Sequence, residues 1–294
     1  MQKLNTFMNE EIELTQPINN ESESSSHSHR SNQSSSNKDW YNPKTKAETR
    51  NEEIEEAYYL ATLCLKFQNF EDALTYVDEI IKKKNSELTQ GERNIFVGAY
   101  EYFLYQKRVS WRNIHAKETN DQKMKLILNE IKSNIEDVII KTCERVINVI
   151  NKNILHFTKS DDGITVMLRL KADSYRYMAE ITHSQALYKN KQNALNFYMQ
   201  AYNLSQKLDD LDSIKLTISM NFSVFLYEIL NQRVNAIFYA KGAINKALVK
   251  LKDFSDEELK EESMKESLTI IEILSKNLHQ WYAEEFEGSV NKTN

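Results

Sequence analysis

Residues 174–180 read SYRYMAE and place an arginine between two tyrosines in an otherwise apolar stretch. Apolar residues recur at helical spacing through this part of the chain, which predicts a helix. On a helix Arg176 and Glu180 lie four residues apart on one face, so Arg176 could be an ordinary ion-paired charge. Arg169 and Asp173 share a face with Arg176 as well, and that face could hold an anion. The two interpretations differ in what the rest of the chain must supply.

The chain around this stretch is poor in residues that form turns. It contains 5 Gly and 2 Pro among 294 residues, and both prolines precede residue 44. Sheets need tight turns, which favour Gly, Pro and Asn-Gly pairs. Beyond residue 50 the apolar residues instead follow the helical period of about 3.6 residues. We therefore predict an all-α fold.

Nine antiparallel helices are predicted, because the joints between the periodic segments are short and polar. The segments lie near 51–67, 70–84, 89–117, 121–157, 161–186, 188–208, 211–230, 232–253 and 256–286. They could form a bundle with a concave amphipathic groove or a stack of helical pairs. LKFQNFEDALTYVDEII and ALNFYMQAYNLSQKL resemble tetratricopeptide helices, although no period of about 34 residues persists. A repeat array is the alternative fold.

The two ends of the chain differ from its middle. Residues 19–39 contain no aliphatic residue and no Phe, Tyr or Trp. Such a segment buries too little apolar surface to offset the entropy of ordering it. We predict a disordered Ser-rich arm over residues 1–48, a helical domain over 49–286 and a flexible tail over 287–294.

Charge and hydropathy exclude several classes of partner. The net charge of −5 argues against a general nucleic-acid-binding protein. No apolar run approaches the roughly 20 residues that cross a bilayer, and the chain opens without a basic-then-apolar signal segment. We expect no nucleic-acid or membrane partner and a cytoplasmic location, with the nucleus as an alternative.

Nothing in the sequence supports catalysis. The metalloprotease pattern HExxH, the phosphate loop GxxxxGK[ST] and the nucleophile elbow GxSxG do not occur. The histidines are scattered, and Cys64 and Cys143 fall within apolar helical stripes, where they predict small buried side chains. We expect no enzyme activity, no metal site and no cofactor.

Basic residues beside aromatic ones stand out in two predicted helices. In YQKRVSWRNI, Arg108 and Arg112 share a face, which costs roughly a few tenths of a kcal/mol unless an anion or carboxylate lies between them. The second face is that of Arg169 and Arg176. Taken singly, each arginine is typical of a solvated or ion-paired charge. Together they could bind one anion, provided that the two helices face each other.

Three stretches resemble the signature helices of 14-3-3 proteins. They are GERNIFVGAYEYFLYQKRVSWRNI, LRLKADSYRYMAE and NFSVFLYEILN, and they occur in the family's order and at its separations. LTIIEILSKNLHQW (268–281) is similar to the family's final helix, and nine helices is the family's count. The resemblance covers about residues 52–284. It implies a dimeric adaptor in signal transduction, which binds phosphoserine or phosphothreonine segments of client proteins in a groove.

The resemblance also implies roles for individual residues. Arg108, Arg176 and Tyr177 match the residues that clamp the phosphate, which would answer the question raised by SYRYMAE. Asn221 and Asn277 match residues that bind the peptide backbone. The apolar wall of the groove is matched by Met220, Val224, Ile270, Ile273 and Trp281. Without the resemblance, these apolar residues would indicate an ordinary core.

One departure falls in the clamp itself. The family's clamp lysine is replaced by Glu101, which puts a negative charge beside the phosphate. We expect weaker phosphopeptide binding than in a typical member, or a shifted preference, unless Arg169 or Lys107 reaches the pocket. Glu101 also favours an alternative function, a helical scaffold that binds proteins without regard to phosphate.

Further departures fall on the dimer interface that the resemblance implies. The matching positions include two former salt-bridge partners, Asn69 and Val138, which have both lost their charge. The predicted interface consists of Leu63, Phe67, Asn69, Asp72, Ile131, Asn134 and Val138. We expect either a more apolar homodimer that rejects ordinary partners or a weakened dimer.

The last residues, NKTN, carry one more hypothesis from the resemblance. The family recognises some clients through a phosphorylated residue just before a free C-terminus. Phosphorylated Thr293 could therefore occupy the groove of its own or a neighbouring molecule. The alternative is a frayed polar tail.

Overall fold

A computed structural model describes residues 45–255, 259 and 261–290 of the chain. In this part of the chain all regular structure is helical, and the all-α prediction with nine helices is confirmed. The helices are α1 (Lys46–Lys66), α2 (Phe70–Lys83), α3 (Gln90–His115), α4 (Gln122–Val149), α5 (Asp161–Ile181), α6 (Ser184–Ser205), α7 (Ser213–Val224), α8 (Arg233–Leu251) and α9 (Glu262–Val290). Single π-helical turns extend α4 through Ile150–Ile154 and α7 through Phe225–Ile229.

Side-chain caps explain where two of the helices begin. Thr45 Oγ1 accepts a hydrogen bond of 3.2 Å from the Glu48 amide, and the Glu48 carboxylate accepts one of 2.7 Å from the Thr45 amide. This reciprocal capping box starts α1 at Lys46, where the apolar period predicts a start near residue 51. Thr89 and Glu92 form the same box at the start of α3, as predicted.

The chain divides into two compact units, the first ending at Lys83 and the second beginning at Lys84. The described part of the first unit is the pair α1 and α2. Small residues of α1, among them Ala57 and Ala61, are buried, and so are Leu74 and Val77 of α2. Between the helices the chain reverses at Gln68, whose φ is 59°. The pair thus forms a helical hairpin held by an apolar seam.

In the second unit, every helix from α3 to α9 packs on the next one along the chain. The core of α6 to α9 is aromatic: the Tyr198 ring lies 5.7 Å from Phe222 and 5.1 Å from Phe225. Burying one such side chain contributes about 1.5–3 kcal/mol. This core fixes the positions of α5 and α7, which carry the polar residues described below.

None of the described helices combines the length and apolarity needed to span a membrane.

The two cysteines differ in their burial. Cys143 is fully buried in α4 and Cys64 is half-buried in α1, and both thiols are free. Burial raises the pKa of both, and for Cys64 the Asp72 carboxylate adds to the increase. The prediction of a buried thiol therefore holds fully for Cys143 only.

Candidate functional site

Two helices of the second unit, α3 and α5, bring the predicted phosphate residues together. Their facing sides carry four arginines and three carboxylates in direct contact. We call this set the charge cluster: Glu101, Arg108, Arg112, Arg169, Asp173, Arg176 and Glu180. The spacing of three, four or seven residues along each helix places these side chains on one face. The arginine faces of α3 and α5 therefore lie opposite each other, which the spacing along each helix could not establish.

Glu180 of α5 pairs with Arg108 and Arg112 of α3. Arg108 Nε donates to Glu180 Oε2 at 2.9 Å, and Arg112 Nε donates to Oε1 at 2.5 Å. Burial alone would raise the pKa of Glu180, but Arg108 and Arg112 hold that pKa below its usual value. Arg176 is therefore not the partner of Glu180 that their spacing of four residues suggests. Arg176 is ion-paired, but its partner is the buried Asp173 at 3.1 Å.

Asp173 is the fully buried centre of the cluster. Its carboxylate accepts hydrogen bonds from Arg169 Nη1 at 3.1 Å, from Arg176 Nη2 at 3.1 Å and from the Tyr198 hydroxyl. Asn221 Nδ2 of α7 donates to the same carboxylate at 3.1 Å. A buried charge is tolerated only when it is paired and hydrogen-bonded, as here. Asp173 thereby fixes the positions of Arg176 and Asn221, two of the predicted binding residues.

Glu101 contacts the cluster through Arg169, whose Nη1 donates to Glu101 Oε1. Burial raises the pKa of Glu101, Arg169 opposes this, and the Asp173 carboxylate raises it again, so the net pKa lies above the usual value. Of the two cations proposed to compensate for Glu101, Arg169 reaches the site. Lys107 instead places its ammonium over the Phe103 ring, 4.9 Å from the centroid.

Tyr177 lies against both clamp arginines. The Arg108 guanidinium carbon is 3.9 Å from the Tyr177 ring centroid, and that of Arg176 is 4.7 Å away. Such cation–π contacts hold both guanidinium groups over one ring. Burial, with a further contribution from Asp173, raises the pKa of Tyr177 to about 12. The phenol therefore stays protonated at neutral pH and can donate a hydrogen bond.

Two buried polar atoms in the described residues have no hydrogen-bond partner, Arg176 Nε and Asn277 Nδ2. Buried donors are nearly always satisfied, so each such atom calls for an explanation. Both belong to residues to which the sequence resemblance assigns ligand contacts. Arg176 keeps one bond through Nη2 to Asp173, while its buried Nε has no partner.

The wall residues on α7 and α9 fall into two groups. Met220, Val224 and Ile273 are half-buried and keep some accessible surface. Ile270 and Trp281 are buried in the core, and the Trp281 ring stacks on Tyr227 at 4.6 Å between centroids. The core interpretation thus describes Ile270 and Trp281, whereas the other three can still contact a ligand.

Comparison with known proteins shows the family of the chain. A sequence model of the family described as 14-3-3 protein matches residues 60–282. The chain is 30% identical to 14-3-3 protein 3 of Entamoeba histolytica over 236 residues, which are 78% of this chain and 96% of that protein. It is 31% identical to 14-3-3 protein 2 of Solanum lycopersicum over 235 residues, or 77% of this chain and 90% of that one. The chain belongs to the 14-3-3 family.

Membership decides between the two folds left open by the sequence. The nine helices are those of a 14-3-3 protein, and the tetratricopeptide-like array is set aside. As a family, 14-3-3 proteins are adaptors that bind client proteins. In this 14-3-3 chain the charge cluster and the adjoining Tyr177 bring together cations, a protonated phenol and a buried donor without a partner.

Residues of the predicted dimer interface lie in both units. In the second unit Ile131 is 42% exposed, Val138 is 37% exposed and Asn134 is exposed as well. In the first unit Phe67 is 74% exposed, and Leu63 is half-buried. The exposed Asn69 and Asp72 bond to each other, since Asn69 Nδ2 donates to Asp72 Oδ2 at 2.6 Å. The Asp72 amide also donates to Asn69 Oδ1 at 3.4 Å, so Asn69 caps the start of α2 in this 14-3-3 chain.

The sequence did not indicate four contacts that organise the site. Tyr198 and Asn221 donate to Asp173 from α6 and α7, and Arg108 and Arg112 of α3 donate to Glu180. The available signal was Asp173 itself, a carboxylate flanked by Arg169 and Arg176 in a helix that is apolar around it. Such a carboxylate predicts further donors from neighbouring helices, although not which ones.

Proposed function

We propose that this 14-3-3 protein binds phosphoserine or phosphothreonine segments of client proteins at the charge cluster. The observation that carries the proposal is the arrangement of Arg108 and Arg176 over Tyr177, with Arg176 Nε buried and without a partner. A phosphate brings about −1.5 to −2 charges and three strong acceptor oxygens. Guanidinium groups bind such an anion through paired hydrogen bonds. The protonated Tyr177 hydroxyl adds a neutral donor.

The carboxylates of the cluster support this role by holding the arginines in place. Glu180 fixes Arg108 from one side, and Asp173 fixes Arg176 from the other. Because these ion pairs already hold the two arginines in place, the site loses little conformational freedom when the ligand binds. In this proposal Asn221 and Asn277 bind the peptide backbone, and Met220, Val224 and Ile273 contact its apolar side chains. Binding then regulates the client by masking, scaffolding or clamping it.

Glu101 sets the strength of the proposed binding below that of a site with lysine at this position. Unit charges a few ångströms apart interact by about 4 kcal/mol at an effective dielectric near 20, which is an upper guide before solvent rearranges. Because Arg169 lies between Glu101 and Asp173, part of this repulsion is already compensated. We expect a weakened but phosphate-dependent site.

The test compares serine peptides made with and without one phosphate, titrated by fluorescence anisotropy. We expect only the phosphorylated forms to bind and Arg176→Gln to weaken them about tenfold or more, which is about 1.4 kcal/mol. Arg233→Gln is the matched control, because Arg233 pairs with exposed Glu285 at 2.8 Å, outside the charge cluster. Equal binding of phosphorylated and unphosphorylated peptides would contradict the proposal.

The second candidate function is the phosphate-independent scaffold. One observation favours it: each of the four arginines in the charge cluster already contacts a carboxylate of the chain. A cluster that is neutralised internally has a smaller attraction for an added anion. The peptide comparison above separates the two functions directly.

We further propose that the chain forms a homodimer with a more apolar interface than other members. The exposed Phe67, Ile131 and Val138 support this, as exposed apolar groups gain free energy when covered. Light scattering should give about twice the 34.5 kDa mass of one chain. Val138→Asp should lower that mass, whereas Val234→Asp on α8, at a valine that is 81% exposed and outside the predicted interface, should not. A wild-type monomer would refute the homodimer.

Two parts of the proposal concern residues or conditions beyond the site. Thr293 lies outside the described residues, and its phosphorylated form remains a proposed occupant of the same site. A phosphorylated peptide of residues 285–294, tested in the same anisotropy assay, addresses it. We propose a cytoplasmic location with the nucleus as the alternative, which a fluorescent fusion would test.

A further inference from the structure

Arg169 has been given a role in compensating Glu101, but no contact with the ligand. It lies between two carboxylates, since its Nη1 donates to Glu101 and, at 3.1 Å, to Asp173. The Arg169 side chain is 9% exposed, the Glu101 side chain is 24% exposed and Asp173 is fully buried. Of the two carboxylates, Glu101 therefore has the easier access to water.

We propose that Arg169 is a fourth phosphate-binding residue of this site and that Glu101 releases it by taking up a proton when the phosphate binds. The proposal rests on the proposed function and deepens it, because it makes phosphopeptide recognition by this chain proton-linked. The proton comes from solvent and ends on a Glu101 carboxyl oxygen. Arg169 exchanges the Glu101 oxygen for a phosphate oxygen, and no covalent bond of the chain changes.

The charge balance of the cluster supports this exchange. Four guanidinium groups and three carboxylates leave one net positive charge. A phosphate dianion would turn that into one net negative charge in a site that is mostly buried. Unpaired buried charge is strongly unfavourable, and a group that can neutralise itself does so. Protonation of Glu101 returns the occupied site to neutrality.

Glu101 is placed to be the group that takes the proton. From α5 it faces Arg169, Asp173, Arg176 and Tyr177. From α4, which also packs on α3, Glu136 and Lys132 lie at Trp111, ten positions along α3 from Glu101. Asp173 already accepts hydrogen bonds from Arg169, Arg176, Tyr198 and Asn221, whereas Glu101 contacts the cluster through Arg169.

The sign of the pH dependence follows from the two states. Burial and Asp173 already hold the pKa of Glu101 above its usual value, and a bound phosphate adds negative charge that raises this pKa further. Because the bound state holds the proton more tightly, affinity increases as the pH falls between the bound and free pKa values. The second ionisation of the phosphate, with a pKa of about 6, has the opposite effect at lower pH.

Glu101→Gln provides the matched variant, since it keeps the shape and removes the titration. The tightest phosphopeptide of the serine set is titrated by calorimetry from pH 8 to pH 6.5, in buffers of different ionisation enthalpy. For the wild type we expect uptake of up to one proton and an affinity that rises relative to the variant as the pH falls. At pH 8 the variant should bind about tenfold more tightly, since it no longer opposes the phosphate.

The ligand role of Arg169 is tested in the Glu101→Gln background, where its loss leaves no unpaired glutamate. Adding Arg169→Gln should weaken phosphopeptide binding about tenfold, and Arg169→Lys should restore part of it, as a cation without the paired donors. Thermal denaturation of each variant shows that the fold persists. The proton count is measured for Arg169→Gln in the protein that keeps Glu101. If Arg169 were merely structural, this substitution would change the melting temperature and leave the number of protons taken up on phosphopeptide binding unchanged.

The outcomes separate this inference from the proposed function. Phosphate-dependent binding with the same affinity, pH profile and proton uptake in wild type and Glu101→Gln would overturn the inference and leave the function standing. Binding that ignores phosphate in both proteins would reject the function, and the inference with it. A loss of less than twofold on adding Arg169→Gln would remove Arg169 from the site.

Discussion

The charge cluster has two halves that use the same residue types in different proportions. In one half, Arg108 and Arg112 share the single carboxylate of Glu180. In the other half, Arg169 and Arg176 contact two carboxylates, those of Asp173 and Glu101. The first half therefore carries one excess positive charge and the second is neutral. The net positive charge of the cluster therefore lies in the first half.

The pKa values of Glu180 and Glu101 are shifted in opposite directions, although burial by itself raises both. Two arginines hold the pKa of Glu180 below its usual value despite burial, whereas one arginine shared with Asp173 leaves the pKa of Glu101 raised. Ionised Glu180 thus stabilises the fold, and ionised Glu101 does not. Substitutions in each half should show the difference in stability as well as in binding.

The largest effect should come from the buried centre of the neutral half. Asp173→Ala leaves Arg169 with Glu101 only and removes the acceptor of Tyr198 and Asn221. Breaking a buried pair from one side costs about 3–5 kcal/mol, because the remaining charge is left uncompensated. We expect a loss of that size in the free energy of unfolding, measured by urea denaturation.

The control for this substitution is Asp137→Ala on α4. Asp137 forms an exposed pair with Lys141 at 3.7 Å, and such surface pairs contribute about 0–1 kcal/mol. A loss at Asp173 no larger than that at Asp137 would show that the carboxylate does not organise the second half.

The next effect concerns the positive half. Glu180→Gln should lower the free energy of unfolding by about 2–3 kcal/mol at pH 7, since charge-assisted bonds from two arginines are lost. Because the folded pKa of Glu180 is lowered, its stabilisation is present above the unfolded pKa of about 4.3 and is lost as the pH falls through the folded pKa.

The measurement is the difference in unfolding free energy between wild type and Glu180→Gln at pH 7, 5 and 3. The difference should shrink at the lowest pH. A difference that stays constant with pH would mean that the variant fails for packing reasons, and would remove the electrostatic explanation of this half.

The contrast between the halves also explains what could be predicted from the sequence. Helical period and scarce glycine predict an all-α fold, because both are local properties. The meeting of Arg108 with Arg176 needed the resemblance, since spacing within one helix does not position a second helix. Start positions were less accurate: α1 begins at Lys46 because Thr45 and Glu48 cap it, and capping is independent of the apolar period.

Long-range polar contacts limited the prediction of the site. The spacing of four residues allowed Glu180 to pair with Arg176, yet Glu180 pairs with α3, 72 positions away in sequence at Arg108. Likewise Tyr198 and Asn221 reach Asp173 from separate helices. Several carboxylates could accept hydrogen bonds from each arginine, and the packing of the helices determines which of them does. Local sequence rules do not contain that information.

The smallest effect, and the sharpest comparison with Glu180, is expected at Glu101. Glu101→Gln should leave the free energy of unfolding unchanged or raise it by at most about 1 kcal/mol at pH 7. The folded pKa of Glu101 is raised, so the unfolded chain ionises first as the pH rises, and the wild type loses stability between the unfolded and the folded pKa. The higher free energy of unfolding of Glu101→Gln relative to the wild type should therefore be present at pH 7 and vanish below about pH 4. Urea denaturation of both glutamate variants at the same three pH values measures this. A loss of stability at Glu101 equal to that at Glu180 would show that Arg169 depends on Glu101, and that the two halves of the cluster are alike.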